Sequence, residues 1–141
     1  MNKIYLLDTN IVSEPTKKIR DENVLVQLES KSHLCAISSV TWAELIYGIE
    51  KLPAGKRRLN LQDYVINHIN SLYEKIPFDE HASGIYGKIY YQYEKAGYVP
   101  KIHDLQIAAT AMANNMILVT RNVKDFEPIN GLMVENWFAF C

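Results

Sequence analysis

The sequence predicts an α/β fold with three layers, α/β/α, in which a short and mostly parallel central sheet is covered by helices on both faces. Three observations predict it. Short runs of Ile, Leu and Val alternate along the chain with longer stretches of helical periodicity. The runs are apolar throughout instead of alternating with polar residues, as strands buried on two faces are. Across 141 residues with 48% hydrophobic content there is no internal repeat, no low-complexity segment and no linker. One domain spanning residues 1–141 with one sizeable core is therefore expected.

The elements follow in order. Lys3 to Asp8 reads as the first strand, an apolar "IYLL" that runs straight into a carboxylate. His33 to Ile37 is the second. Ser38 and Ser39 then offer N-caps to a helix in "VTWAELIYGIEKL", closed by Pro53 and Gly55. "KRRLNLQDYVINHINSLY" reads as one continuous helix, and Lys75 to Phe78 as the third strand. Asp79 caps "EHASGIYGKIYYQYEKAG", which Gly97 terminates. "HDLQIAATAMANN" is an alanine-rich helix feeding the fourth strand, Met116 to Thr120, and Leu132 to Val134 is a short fifth.

Composition narrows the function classes. Fifteen Lys and Arg against sixteen Asp and Glu leave a net charge of −1, so bulk charge draws in no polyanion and any nucleic acid needs a local basic patch. Cys35 and Cys141 form neither a metal pair nor a disulfide framework, which points to a reducing compartment. The opening apolar run is too short for a signal peptide, and no stretch reaches the length of a membrane span. A cytoplasmic protein with no membrane partner is the expectation.

In open parallel sheets, ligands bind beyond the carboxyl ends of the strands. Asp8 ends the first strand there. Glu44 follows one turn into the next helix among apolar neighbours, Asp104 opens the last helix, and Asn122 and Asp125 follow the fourth strand. Each has an ordinary structural reading: an Asx-turn for Asp8 with Asn10, a first-turn acid for Asp104, a narrow polar stripe for Glu44, a polar turn for Asp125. Taken together they place several oxygen donors on one edge. Carboxylates gathered this way raise one another's pKa values unless a cation neutralises them, and hard oxygen ligands without His or Cys favour Mg²⁺, with Mn²⁺ the alternative.

"LLDTNIVSE", "SSVTWAELIYG", "HDLQIAATA" and "LVTRNVKDF" stand in this order across nearly the whole chain. In that order and at that spacing they resemble the PIN-domain ribonucleases, in particular the VapC-type toxins of toxin and antitoxin pairs, with FitB-like features. The resemblance implies a Mg²⁺-dependent endoribonuclease that hydrolyses structured RNA, commonly transfer RNA, through water activated by the metal. It implies catalytic roles for Asp8, Glu44, Asp104, Asp125 and Asn122. Asp8 and Asp104 would bind the principal ion, Glu44 would support it or a second ion, and either Asn122 or Asp125 would fill the fourth acidic position. Thr9, Ser39 and Thr120 are expected to orient those carboxylates or water. The resemblance also implies a cognate VapB-like antitoxin, contact with operator DNA only through that antitoxin, and a homodimer.

Arg121 and Lys124 flank the fourth motif and are the expected phosphate contacts. Lys56, Arg57 and Arg58 read as a solvated helix face that could extend an RNA track, and Tyr86, Tyr90 and Tyr93 form a helical stripe suited to a core or a subunit interface. Two other readings stay open. One is a catalytically weak PIN module that binds an antitoxin and, with it, operator DNA. The other is a haloacid-dehalogenase-like phosphatase, which is disfavoured because its second acid would fall at Asn10.

Overall fold

The computed structural model describes residues 2–139, so Cys141 lies outside the described residues. Strands β1 (Tyr5–Leu7), β2 (Cys35–Ser38), β3 (Glu74–Ile76), β4 (Ile117–Val119) and β5 (Val134–Glu135) form one sheet in the order β3-β2-β1-β4-β5, with every neighbouring pair parallel. Helices α1 (Thr9–Val12), α2 (Glu22–Lys31), α3 (Ser39–Glu50), α4 (Lys56–Asp63), α5 (Asn70–Leu72), α6 (Glu80–Lys95) and α7 (Ile102–Ala113) surround it.

Side chains in a strand alternate between faces, and the register aligns that alternation across the sheet. Leu7, Ile37 and Val119 stand side by side in β1, β2 and β4 and pack with Ile11, Val24, Leu45, Val65 and Ile69 on one face. Leu6, Ala36 and Leu118 form the adjacent row, which packs on the opposite face against Ile89, Tyr93, Leu105 and Ala108 from α6 and α7. Both faces are dry. This is why the strands read as continuous apolar runs.

One residue past the Leu7, Ile37 and Val119 row come Asp8, Ser38 and Thr120. The Asp8 N–H still donates to the Val119 carbonyl at 2.9 Å, and the Thr120 N–H donates to the Glu135 carbonyl at 3.0 Å. The sheet's hydrogen bonding therefore extends to the residues that begin its polar edge. Ser38 turns the chain into α3, its hydroxyl accepting from the Val40 N–H at 3.0 Å.

Several boundaries differ from the sequence expectation. β2 begins at Cys35, because His33 lies in a 3₁₀ turn over Ser32–Leu34. β3 is Glu74–Ile76 and β5 is Val134–Glu135, both at sheet edges where pairing on one side limits their length. The long helix after Gly55 widens into a π-helical stretch, Tyr64–Ile69, between α4 and α5. Helix α2, unannounced by the sequence reading, buries only Val24 and Leu28 and is capped by Asp21, which accepts from the Asn23 and Val24 N–H groups. Tyr93 is buried, and Tyr86 and Tyr90 are partly buried in the second core, where the Phe78, Tyr86 and Tyr90 rings meet edge to face. Much of the tyrosine stripe thus packs within the chain.

Candidate active site

Asp8 combines a structural and an electrostatic role. It caps α1, its Oδ1 accepting from the Thr9 N–H at 2.8 Å, while Oδ2 accepts from the Thr120 hydroxyl at 2.8 Å and from Asn10 Nδ2 at 3.3 Å. Burial nevertheless raises its pKa above the ordinary aspartate value. Hydrogen bonds from Thr120, Thr9 and Asn10 work against that shift, while the nearby Glu44 charge adds to it. Thr120, fully buried, also accepts from the Asn122 N–H at 3.1 Å, and Asn10 Oδ1 accepts from the Arg121 N–H at 3.1 Å. These bonds tie the segment after β4 to the segment after β1.

Glu44 reaches the same edge from α3. Its Oε1 accepts from the Thr9 hydroxyl at 2.6 Å, so Thr9 bonds both acids, Asp8 through its N–H and Glu44 through its hydroxyl. Asp104 sits in the first turn of α7. Its carboxyl is pushed up to about 6, first by burial, then by the Asp8 charge, with Glu44 and Asp125 adding to the effect. Among the described residues only the Lys101 ammonium opposes that rise. Asp8, Glu44 and Asp104 therefore sense one another across three separate elements.

The other expected residues are dispersed. Asp125 lies in the 3₁₀ turn Val123–Phe126, where its Oδ2 is 3.1 Å from the Lys101 ammonium. Asn122 is exposed at the start of that turn, and Lys124 is exposed within it. The Arg121 guanidinium lies 4.6 Å from the centre of the Phe138 ring, beside the polar edge. Ser39 stands apart from the acids, its hydroxyl accepting from the Phe78 N–H at 3.2 Å and tying α3 to the chain after β3. Arg58 turns to Glu50, whereas Lys56 and Arg57 line an open groove with Lys18, Lys51 and Leu52.

Two residues at this edge escaped the sequence reading. Lys101 faces Asp125, and His103 Nδ1 lies 3.5 Å from Glu44 Oε2. Both sit just before Asp104, in positions that look like mere flanks of an acidic motif. The signal available was their place at the start of a helix whose first turn carries a candidate ligand.

Asp8, Glu44 and Asp104 supply hard oxygen donors, and the poorly neutralised Asp104 carboxyl beside two other acids suits a Mg²⁺ or Mn²⁺ ion. The donor chemistry fits. Among the described residues, no three His, Cys, Asp or Glu side chains are already drawn together closely enough to hold one.

A family model for the PIN domain matches residues 5–131. Ribonuclease VapC2 of Rickettsia felis is 35% identical over 135 residues, covering 95% of this chain and 98% of that protein. A tRNA(fMet)-specific endonuclease VapC of Salmonella typhimurium is 31% identical over 133 residues, covering 94% and 97%. The crystal structure of VapBC2 from Rickettsia felis, bound to a promoter DNA fragment, matches with a TM-score of 0.82 at 34% identity over 95% of this chain and 98% of that one.

Proposed function

The chain belongs to the PIN-domain family, and from that premise we propose that it is a metal-dependent endoribonuclease, the toxin of a VapBC-type toxin and antitoxin pair. The observation that carries this reading is the gathering of Asp8, Glu44 and Asp104 from three elements at one sheet edge, where Thr9 bonds both Asp8 and Glu44 and both of their charges act on Asp104. Such a group is suited to a cation.

Asp8 and Asp104 would hold the ion, with Glu44 beside them. When bound, a divalent ion supplies Lewis acidity toward water and toward the phosphate oxygens. The protein's own task is to fix the carboxylates. Thr120, Asn10 and the Thr9 N–H hold Asp8, and the Thr9 hydroxyl holds Glu44. Arg121 and Lys124 offer charge to the RNA backbone at the same edge. Water adds to phosphorus, the bond to the 3′ oxygen breaks, and the proton released ends on that oxygen. The products carry 5′-phosphate and 3′-hydroxyl ends.

The substrate reading is structured RNA, transfer RNA first, because a relative named for tRNA(fMet) aligns over 94% of the chain. The partner reading is a VapB-like antitoxin that carries the toxin to operator DNA, as the VapBC2 complex with promoter DNA suggests. Mg²⁺ is the expected ion, with Mn²⁺ able to replace it, and the setting is a cytoplasmic homodimer. Among the described residues no helix is long and apolar enough to cross a membrane.

The test is cleavage of total cellular RNA by antitoxin-free protein. Discrete fragments should form in Mg²⁺, disappear in EDTA, and fall roughly 100-fold or more in rate with Asp104→Asn, since that carboxylate serves the metal. A folded wild type that cuts no RNA in Mg²⁺ or Mn²⁺ would instead favour the catalytically weak binding module. The amide at Asn122 and the ion pair that occupies Asp125 are the features favouring that second reading.

A further inference from the structure

The edge beside β4 differs from the edge beside β1. After β1, Asp8 is surrounded by neutral donors, and its neighbours across the site are acids. After β4, position 122 is an amide, and the one carboxylate of the Val123–Phe126 turn, Asp125, is engaged by an ammonium 3.1 Å away. That ammonium belongs to Lys101, the residue that precedes α7, and Asp104 stands three positions later in the first turn of the same helix. Lys101 acts electrostatically on Asp104, as does Asp125. An ammonium is thus paired with the carboxylate of the turn after β4 and near enough to Asp104 to act on its charge.

Two-ion sites bring several anionic oxygens to each metal. Here the Val123–Phe126 turn after β4 offers a single carboxylate, and a lysine holds it. We propose that Lys101 supplies the second positive charge of the site, contacting a non-bridging oxygen of the scissile phosphate, and that Asp125 is the positioning residue that aims it. This rests on the nuclease reading above. A lysine ammonium has three donors, so one bond to Asp125 leaves two for phosphate oxygens. Its side chain remains 60% exposed, open to a polyanion arriving at the edge. The lysine end of the pair is open to solvent, and an ion pair of that kind contributes little to stability, so its loss is expected to act on the substrate more than on the fold. Each chain then binds one divalent ion.

Two measurements on the full chain test this. Mn²⁺ titration followed by electron paramagnetic resonance, without RNA, is expected to give one ion per chain in the wild type. Cleavage of total tRNA in Mg²⁺ is expected to lose roughly 100-fold in kcat with Lys101→Ala, with little change in KM, because a charge aimed at the phosphate acts most strongly on the transition state. Lys101→Arg should recover most of that loss. Asp125→Asn should lower kcat less than Lys101→Ala while leaving the Mn²⁺ count at one. Two Mn²⁺ per wild-type chain, or wild-type kcat in Lys101→Ala, would overturn the proposal while leaving the nuclease reading in place. A wild type that binds one Mn²⁺ yet cuts no RNA would remove the nuclease reading and the role of Lys101 with it.

Discussion

Asp104 is the residue where the physical chemistry of the site is most exposed to measurement. Burial, and after it the Asp8 charge, pushes its carboxyl from the ordinary 3.8 up to about 6, with Lys101 opposing and Glu44 and Asp125 adding. Between those values the folded state holds more protons than the unfolded one, so stability falls as pH rises from about 4 to 6. Asp104→Asn removes that charge. In the absence of divalent ions the variant should melt above the wild type at pH 7.5, by on the order of 5 °C, and match it near pH 4. Mg²⁺ should raise the wild-type Tm at pH 7.5 and leave the variant nearly unmoved. Thermal melts across that pH range, with and without Mg²⁺, check both statements. Asp8, Glu44 and Asp104 were legible in the sequence because each is a lone acid at a strand end, in an apolar helix or at a helix start. Lys101 and His103 were not, since nothing in one sequence says that they reach Asp125 and Glu44 across the edge.

Among the elements, α3 and α7 were readable because both combine a recognisable start with a long apolar face. Ser38 caps the first, and the second buries Leu105, Ile107, Ala108, Ala109, Thr110 and Ala111. Helix α2 gave no comparable signal, because two buried residues in ten make a weak stripe. The π-helical stretch was likewise invisible to a 3.6-residue period. It lies where Val65, Ile69 and then Tyr73 reach the core, and it begins at Tyr64, whose hydroxyl donates to the Val12 carbonyl at 3.0 Å. Val12 closes the short helix that Asp8 opens, so this bond braces the site from behind. Tyr64→Phe should lower stability by about 1 kcal/mol, the net worth of one such bond, when measured by urea denaturation. An unchanged midpoint would mean that the brace contributes nothing.

At the scale of the whole molecule, the parallel order β3-β2-β1-β4-β5 puts the ends of β1 and β4 side by side at the centre of one edge. Alternating apolar runs and helices made the layered fold legible, but strand order and register come from side-chain packing between distant segments, and these decide that Asp8 meets Thr120. Net charge near zero gives RNA no general attraction, so on the proposed function its binding would depend on local cations such as Lys101, Arg121 and Lys124. The proposed nuclease directs hydrolysis by water and makes no use of the RNA 2′-hydroxyl, and mapping the ends of RNA fragments cut by the wild type in Mg²⁺ decides the matter. Fragments with 5′-phosphate and 3′-hydroxyl ends, lost in EDTA, are expected; 2′,3′-cyclic phosphate ends, or cleavage that persists in EDTA, would rule that chemistry out.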